Sequence, residues 1–104
     1  MYARVMRVDV DMQHLAELMQ SVENGIVPSA QEQDGFEGML GMVDQTTGHA
    51  LLISLWKTPA DLENTETSGY LQSQIARSMP FLKGPVFRET YRVVLQVDAD
   101  RDAE

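Results

Sequence analysis

From Tyr2 to Val10 the side chains fall into two alternating sets: Tyr2, Arg4, Met6, Val8 and Val10 on one face, Ala3, Val5, Arg7 and Asp9 on the other. A period of two predicts a β-strand. Asp11 then suits a helix N-cap. Met12, Leu15, Leu18 or Met19, and Val22 recur at helical spacing, which predicts an amphipathic helix to about Asn24, with Asn24-Gly25 as its stop. Ile26 to Gln33 read as a further helical turn or two with Pro28 near the start. After an Asp34-Gly35 turn, Phe36 to Asp44 reads as a second strand. Its glycines, Gly38 and Gly41, point to a bulge or a close backbone approach. Gln45-Thr46-Thr47-Gly48 is a hairpin connection, and His49 to Lys57 is a third strand.

Within that strand, Leu51, Ile53 and Leu55 face one way and Leu52 and Trp56 the other. A strand that is apolar on both faces needs cover on both. Thr58-Pro59-Ala60-Asp61 combines a capping box with proline at the first helical position. The second helix is expected to run to about Met79, with Gly69 as a candidate kink. Pro80, Gly84 and Pro85 punctuate a loop. Val86 to Val97 reads as a long last strand with Phe87, Tyr91, Val93, Leu95 and Val97 on one face. The order β-α-β-β-α-β predicts an α+β, ferredoxin-like domain: a four-stranded antiparallel sheet with two helices on one face. The uncovered face then calls for a second copy, giving a closed, barrel-like homodimer with helices outside. The domain is expected to span 1–98, followed by an acidic flexible tail over 99–104.

Val27-Pro28, then Asp34-Gly35-Phe36-Glu37-Gly38, then Leu55-Trp56-Lys57-Thr58 and the helix start Pro59-Ala60-Asp61-Leu62 form a layout that covers nearly the whole chain. In order and spacing it resembles the antibiotic biosynthesis monooxygenase-like family of the dimeric α/β-barrel superfamily. That family includes cofactor-independent monooxygenases of phenolic or polyketide-like aromatics, haem-degrading enzymes, isomerases and members without known activity. The resemblance implies a monooxygenase-like protein that needs no cofactor, with Trp56 bordering a cleft between helices and sheet. Two departures stand out. Leu52 occupies a position where oxidising members can place a polar residue such as asparagine, and the second helix lacks the histidine that would serve as axial ligand in the haem-degrading branch.

The second helix gives an independent clue. With Leu62 facing inward, the stripe continues through Thr65, Ser68 or Gly69, Gln72, Ile75 and Met79, apolar at its ends and polar in its middle. One reading is a cavity lined by Thr65, Ser68, Gln72, Leu52 and Trp56; the other is a kinked helix whose polar groups meet water. Trp56 could stack on an aromatic ligand or simply pack. Candidate catalytic groups are His49 as a base, Arg88 (with Arg92) to stabilise a phenolate or enolate, and Tyr91 as a donor. A solvated histidine, and an arginine and tyrosine in an interface, are the competing readings. Tyr70 is a further donor.

Composition narrows the field. A chain of 104 residues, 43% hydrophobic, suits one domain. The absence of cysteine excludes disulfides, thiolate metal sites and a cysteine nucleophile, and fits a cytoplasmic setting. His14 and His49 lack metal-ligand spacing. A net charge of −8 argues against nucleic acid as a partner. No apolar run is long enough to span a membrane, and MYARVMRVDV reads as a strand, not a signal peptide. Phosphate-loop and dinucleotide fingerprints are missing. Whether the protein catalyses at all is left open. The alternative is a non-catalytic dimeric module that binds an apolar or aromatic small molecule or serves a structural role.

Overall fold

In the computed structural model, which describes residues 1–99, the strands are β1 (Tyr2–Asp9), β2 (Phe36–Val43), β3 (His49–Trp56) and β4 (Phe87–Arg92). They form one sheet in the order β2-β3-β1-β4, every neighbouring pair antiparallel. Helical segments α1 (Leu15–Ser21) and α2 (Val27–Gln31) follow β1, and α3 (Pro59–Thr67) and α4 (Tyr70–Ser78) follow β3. This is the ferredoxin-like β-α-β-β-α-β arrangement. The acidic tail expected over 99–104 lies, beyond Ala99, outside the described residues. Among the described residues no helix is long and apolar enough to cross a membrane.

The local signals hold where a side chain can cap a backbone group. Asp11 accepts from the Gln13 N–H at 3.1 Å and starts a 3₁₀ turn, Met12–His14, that leads into α1. Thr58 Oγ1 accepts from the Asp61 N–H at 3.0 Å, with Pro59 at the first turn of α3. Asp44 Oδ1 accepts from the N–H groups of Thr46 and Thr47, closing the β2–β3 turn. The bulge expected near Gly38 appears as a register shift between Phe36 and Gly38.

Three expectations are corrected. Asn24-Gly25 is not a stop: a π-helical turn, Val22–Ile26, joins α1 to α2. The wider turn accommodates Pro28, which has no N–H to give the preceding turn. A Cβ at Gly25 would sit 2.2 Å from the tip of the exposed Arg77 side chain of α4, a flexible group that can move aside. The second helix is broken, not kinked: Gly69 adopts φ 90°, and α4 restarts with a new phase. The last strand ends at Arg92, not Val97. Arg92 pairs with Tyr2 and Val93 N–H donates to Met1 O at 2.9 Å, so β1 offers no further partner. Val94 and Leu95 are accordingly 81% and 78% exposed.

The core lies between the helices and the sheet face carrying Met6 and Trp56, where Val10, Leu18, Ile26, Ala30, Leu62 and Leu71 are buried. The opposite face carries Val5, Ile53, Leu40, Phe87 and Tyr91, and among the described residues no helix or strand packs over it. Leu40, Phe87 and Tyr91 are each more than half exposed.

Gly48 gives a direct test of the hairpin. Its φ is 83°, and a Cβ would lie 2.7 Å from the backbone oxygen of Val10, which cannot rotate away. Gly48→Ala is expected to cost at least the ~1–2 kcal/mol of a left-handed alanine, read as a lower urea midpoint with unchanged slope.

Candidate functional site

β1 sends Arg4 to the helix side of the sheet, between Ser54 of β3 and Thr90 of β4. At 2% exposure it is a buried cation in a mostly apolar wall. Arg4 Nη1 donates to Thr65 Oγ1 at 2.7 Å and lies 3.6 Å from Glu66 Oε2, both on α3. The guanidinium sits 5.6 Å from the Trp56 ring centroid, within cation–π range. Burial pushes the Arg4 pKa below its usual value, and Glu66 pulls it back up. Trp56 is fully buried; its indole N–H donates to Ser54 Oγ at 3.0 Å, and its ring meets Phe36 edge-on at 5.5 Å.

Arg4 and Trp56 belong to the wall of a cleft of about 750 Å³ between helices and sheet, within the size range of small-molecule sites. Met6, Leu52, Leu18, Leu71 and Ile75 supply apolar wall, and its polar members include Ser54, Tyr70, Gln74 and Glu23. Burial raises the Tyr70 pKa above its usual value, against the opposing pull of the Arg4 charge. Two buried polar atoms of the cleft wall lack a hydrogen-bond partner: Arg4 Nε and Gln74 Oε1. Such orphans are uncommon, and each costs on the order of 1–3 kcal/mol.

The sequence-predicted residues divide. Trp56, Leu52 and Thr65 meet at or beside the cleft. Ser68 and Gln72 are exposed: Ser68 Oγ accepts from the Tyr70 N–H at 3.4 Å, and Gln72 Nε2 donates to the Glu66 carbonyl at 3.1 Å. The break at Gly69 is the reason, since it turns Leu71 and Gln74 inward where an unbroken stripe would have placed Gln72; Ile75 lines the cleft as that stripe expects. His49 lies on the opposite sheet face, exposed, with Nδ1 on the Asp9 carboxylate. That end of the sheet holds a second depression of about 640 Å³, lined by Asp9, His49, Pro85 and Phe87. Tyr91 also lies on the opposite face, while Arg88 and Arg92 share the helix face but stand exposed on the outer strand. Arg4, Ser54 and Gln74 were missed. The signal for Arg4 was in the alternation of β1, where one cation interrupts Tyr2, Met6, Val8 and Val10. Among the described residues no three His, Cys, Asp or Glu side chains gather as a metal ion would need.

No family model and no curated protein matches the chain. Solved structures do match. A Bordetella bronchiseptica protein whose name gives antibiotic biosynthesis monooxygenase as an inferred assignment is 14% identical, with a TM-score of 0.76 over 90% of this chain and 97% of that one. A Deinococcus radiodurans protein named in the same way is 16% identical, with a TM-score of 0.74 over 97% and 100%. A variant of SnoaB, a cofactor-independent oxygenase from Streptomyces nogalater, is 12% identical, with a TM-score of 0.72 over 92% and 95%. The chain thus has the fold of antibiotic biosynthesis monooxygenase structures, as the resemblance in its sequence implies. A shared fold does not carry the chemistry with it.

Proposed function

We propose that this chain is a monooxygenase-like protein that holds an aromatic or phenolic small molecule in the cleft between its helices and its sheet, without a cofactor and as a homodimer in the cytoplasm. The observation that carries the reading is the buried Arg4 in the wall of an apolar cleft of about 750 Å³. A cation held out of water interacts strongly with a negative charge developing nearby. In the proposed reaction a phenol-type substrate loses a proton and passes an electron to oxygen. A carbon–oxygen bond forms, a ring CH₂ becomes a carbonyl, and the second oxygen atom leaves as water with the two hydrogens. Trp56 supports Arg4 and closes the cleft floor, Leu52 shapes its wall, and Thr65 holds Arg4 from behind it. The homodimer rests on the uncovered apolar sheet face, and the lack of cysteine supports the cytoplasmic setting.

Oxygen uptake with anthrone-like phenols, which carry the ring CH₂, tests the reaction. Uptake by the wild type well above that of Trp56→Phe is the expected result; equal rates in the two reject oxygenase activity. One observation favours the second reading, a binding module without catalysis. Glu23, exposed at the cleft rim, is the one carboxylate among the cleft-lining residues, and His49 faces away. In that case a phenol raises the melting temperature and is recovered unchanged.

A further inference from the structure

The two outer strands of the sheet are guarded differently. β4 carries Arg88, Glu89 and Arg92 in six residues, whereas β2 carries one charge, Glu37, in eight, and neither lysine nor proline. An edge strand presents a row of unpaired N–H and C=O groups, and a long one is normally blunted by charge, proline or a covering element. β2 also holds Leu40 and Met42 at 57% and 45% exposure, and a glycine that its own chain does not call for. Gly41 has no positive φ, and a Cβ there would meet only Leu52 Cδ1, at an ordinary 3.6 Å. Glycine weakens a strand interior, and one reason to keep it is the close approach of another backbone. Beyond β4 runs Val93-Val94-Leu95-Gln96-Val97, uncharged and rich in valine, which favours strands. Val93 N–H donates to Met1 O, where β1 ends, and among the described residues 94–97 make no backbone hydrogen bond. Val94, Leu95 and Val97 are each more than three-quarters exposed. The chain therefore has an apolar arm without a partner and a strand edge without a guard. Within one chain they cannot meet, because β4 and β2 lie at opposite margins of the sheet, roughly 14 Å apart across three strand spacings.

We propose that the arm of each copy pairs with β2 of a second copy, so that each helix–sheet cleft is completed by the other chain. This inference rests on the homodimer reading of the uncovered sheet face. Phe87 and Tyr91 lie on that face, and Leu95 and Val97 continue their alternation into the shared apolar interior. Val94 alternates to the helix side, with Arg88 and Arg92, and lies against the partner's β2 where Met39 and Gly41 line the cleft. The cleft reaches the sheet margin there: Gly38, Met39, Gly41 and Met42 belong to its lining, and among the described residues no strand lies outside them. The partner's arm adds a fifth strand along that open side and an apolar side chain at the cleft margin. Two-fold symmetry makes the contact twice, once for each cleft. The unguarded edge, the unexplained glycine and the exposed valines then have one common cause.

Proline in the arm tests the pairing. Val94→Pro and Leu95→Pro leave the chain's own hydrogen bonds untouched, since residues 94–97 make none in its backbone. Successive N–H groups of a strand point to opposite sides, so one of the two prolines removes a hydrogen bond of the new ladder. By sedimentation equilibrium the wild type is expected to be dimeric and that variant to dimerise at least about tenfold more weakly, the effect of one lost hydrogen bond in each of two symmetric contacts. The absence of cysteine allows a second readout. Met39→Cys/Val94→Cys treated with a short bismaleimide is expected to give a covalent dimer on a denaturing gel, and each single variant a single chain. Because Met39 lines the cleft, that cross-link also puts the arm at the cleft margin. Circular dichroism identifies a variant that has not folded, and the proline and cysteine readouts stand independently. A wild-type dimer that neither proline weakens, or that yields no cross-link, overturns the proposal and leaves the homodimer through the sheet face intact. A ladder of cross-linked chains beyond two overturns it as well, because the arm then joins copies in open chains. A monomeric wild type removes the homodimer reading and this inference with it.

Discussion

Trp56→Ala is expected to lower the unfolding free energy by about 3–5 kcal/mol, the range for truncating a buried aromatic side chain. The indole is fully buried, it donates to Ser54, it meets Phe36 edge-on, and it lies within cation–π range of Arg4. Removing it opens a void and leaves Ser54 Oγ and the guanidinium without those contacts, and partial collapse recovers little of this in a packed interior. Set against a typical total of about 5–15 kcal/mol, the loss brings the chain near its folding threshold. Urea denaturation followed by circular dichroism measures it. A change below about 1 kcal/mol would mean that Trp56 does not occupy a packed core in solution. Trp56→Phe keeps most of the volume and is expected to cost well under half as much.

If the proposed homodimer forms through the uncovered sheet face, Ile53→Asp is expected to convert it to monomer. Ile53 lies on the uncovered sheet face, between Val5 of β1 and Leu40 of β2. In a two-fold pairing each copy contributes the same patch, so a single substitution places two carboxylates in one apolar interface. Desolvating an unpaired carboxylate costs several kcal/mol per ion, which would weaken association by on the order of a thousandfold or more. The isolated chain is little affected, because Ile53 is only half-buried there. Sedimentation equilibrium distinguishes the outcomes. A wild type that is monomeric at high micromolar concentration removes the dimer, and an Ile53→Asp chain that stays dimeric moves the interface off this face.

The fold was readable because its determinants are local: the period-two alternation of β1, the doubly apolar β3, and the caps at Asp11 and Thr58. The site was only partly readable, for a reason visible at Gly69. A helix stripe can be extrapolated only as far as the helix is continuous, and one left-handed glycine moved the inward phase from Gln72 to Gln74. The same limit applied at Asn24-Gly25, where a helix-stopping dipeptide sits inside a π turn and the chain runs on into α2. His49 and Tyr91 were attractive by residue type, but the register of β1 with β3 and β4 sends both to the face away from the helices. Arg4 was hidden by convention, since a cation in a strand reads first as a solvated side chain. Its burial comes from Thr65 and Glu66, about sixty residues away in sequence.

The sheet order sets how the molecule comes together in time. β1 is made first yet sits inside the sheet, with β3 on one side and β4 on the other. Its pairing with β4 joins Tyr2 to Arg92, nearly the full span of the described chain. As the chain leaves the ribosome, β1 has no neighbour until β3 emerges, and one of its edges stays open until β4 follows. Pairings this distant in sequence place folding in the millisecond-to-second regime typical of long-range β contacts. For that interval the Val5 face and the Met6 face of β1 are both unprotected. Arg4 and Arg7, spaced along the strand, put a positive charge on each of those faces, the kind of residue that disfavours pairing between unfolded chains.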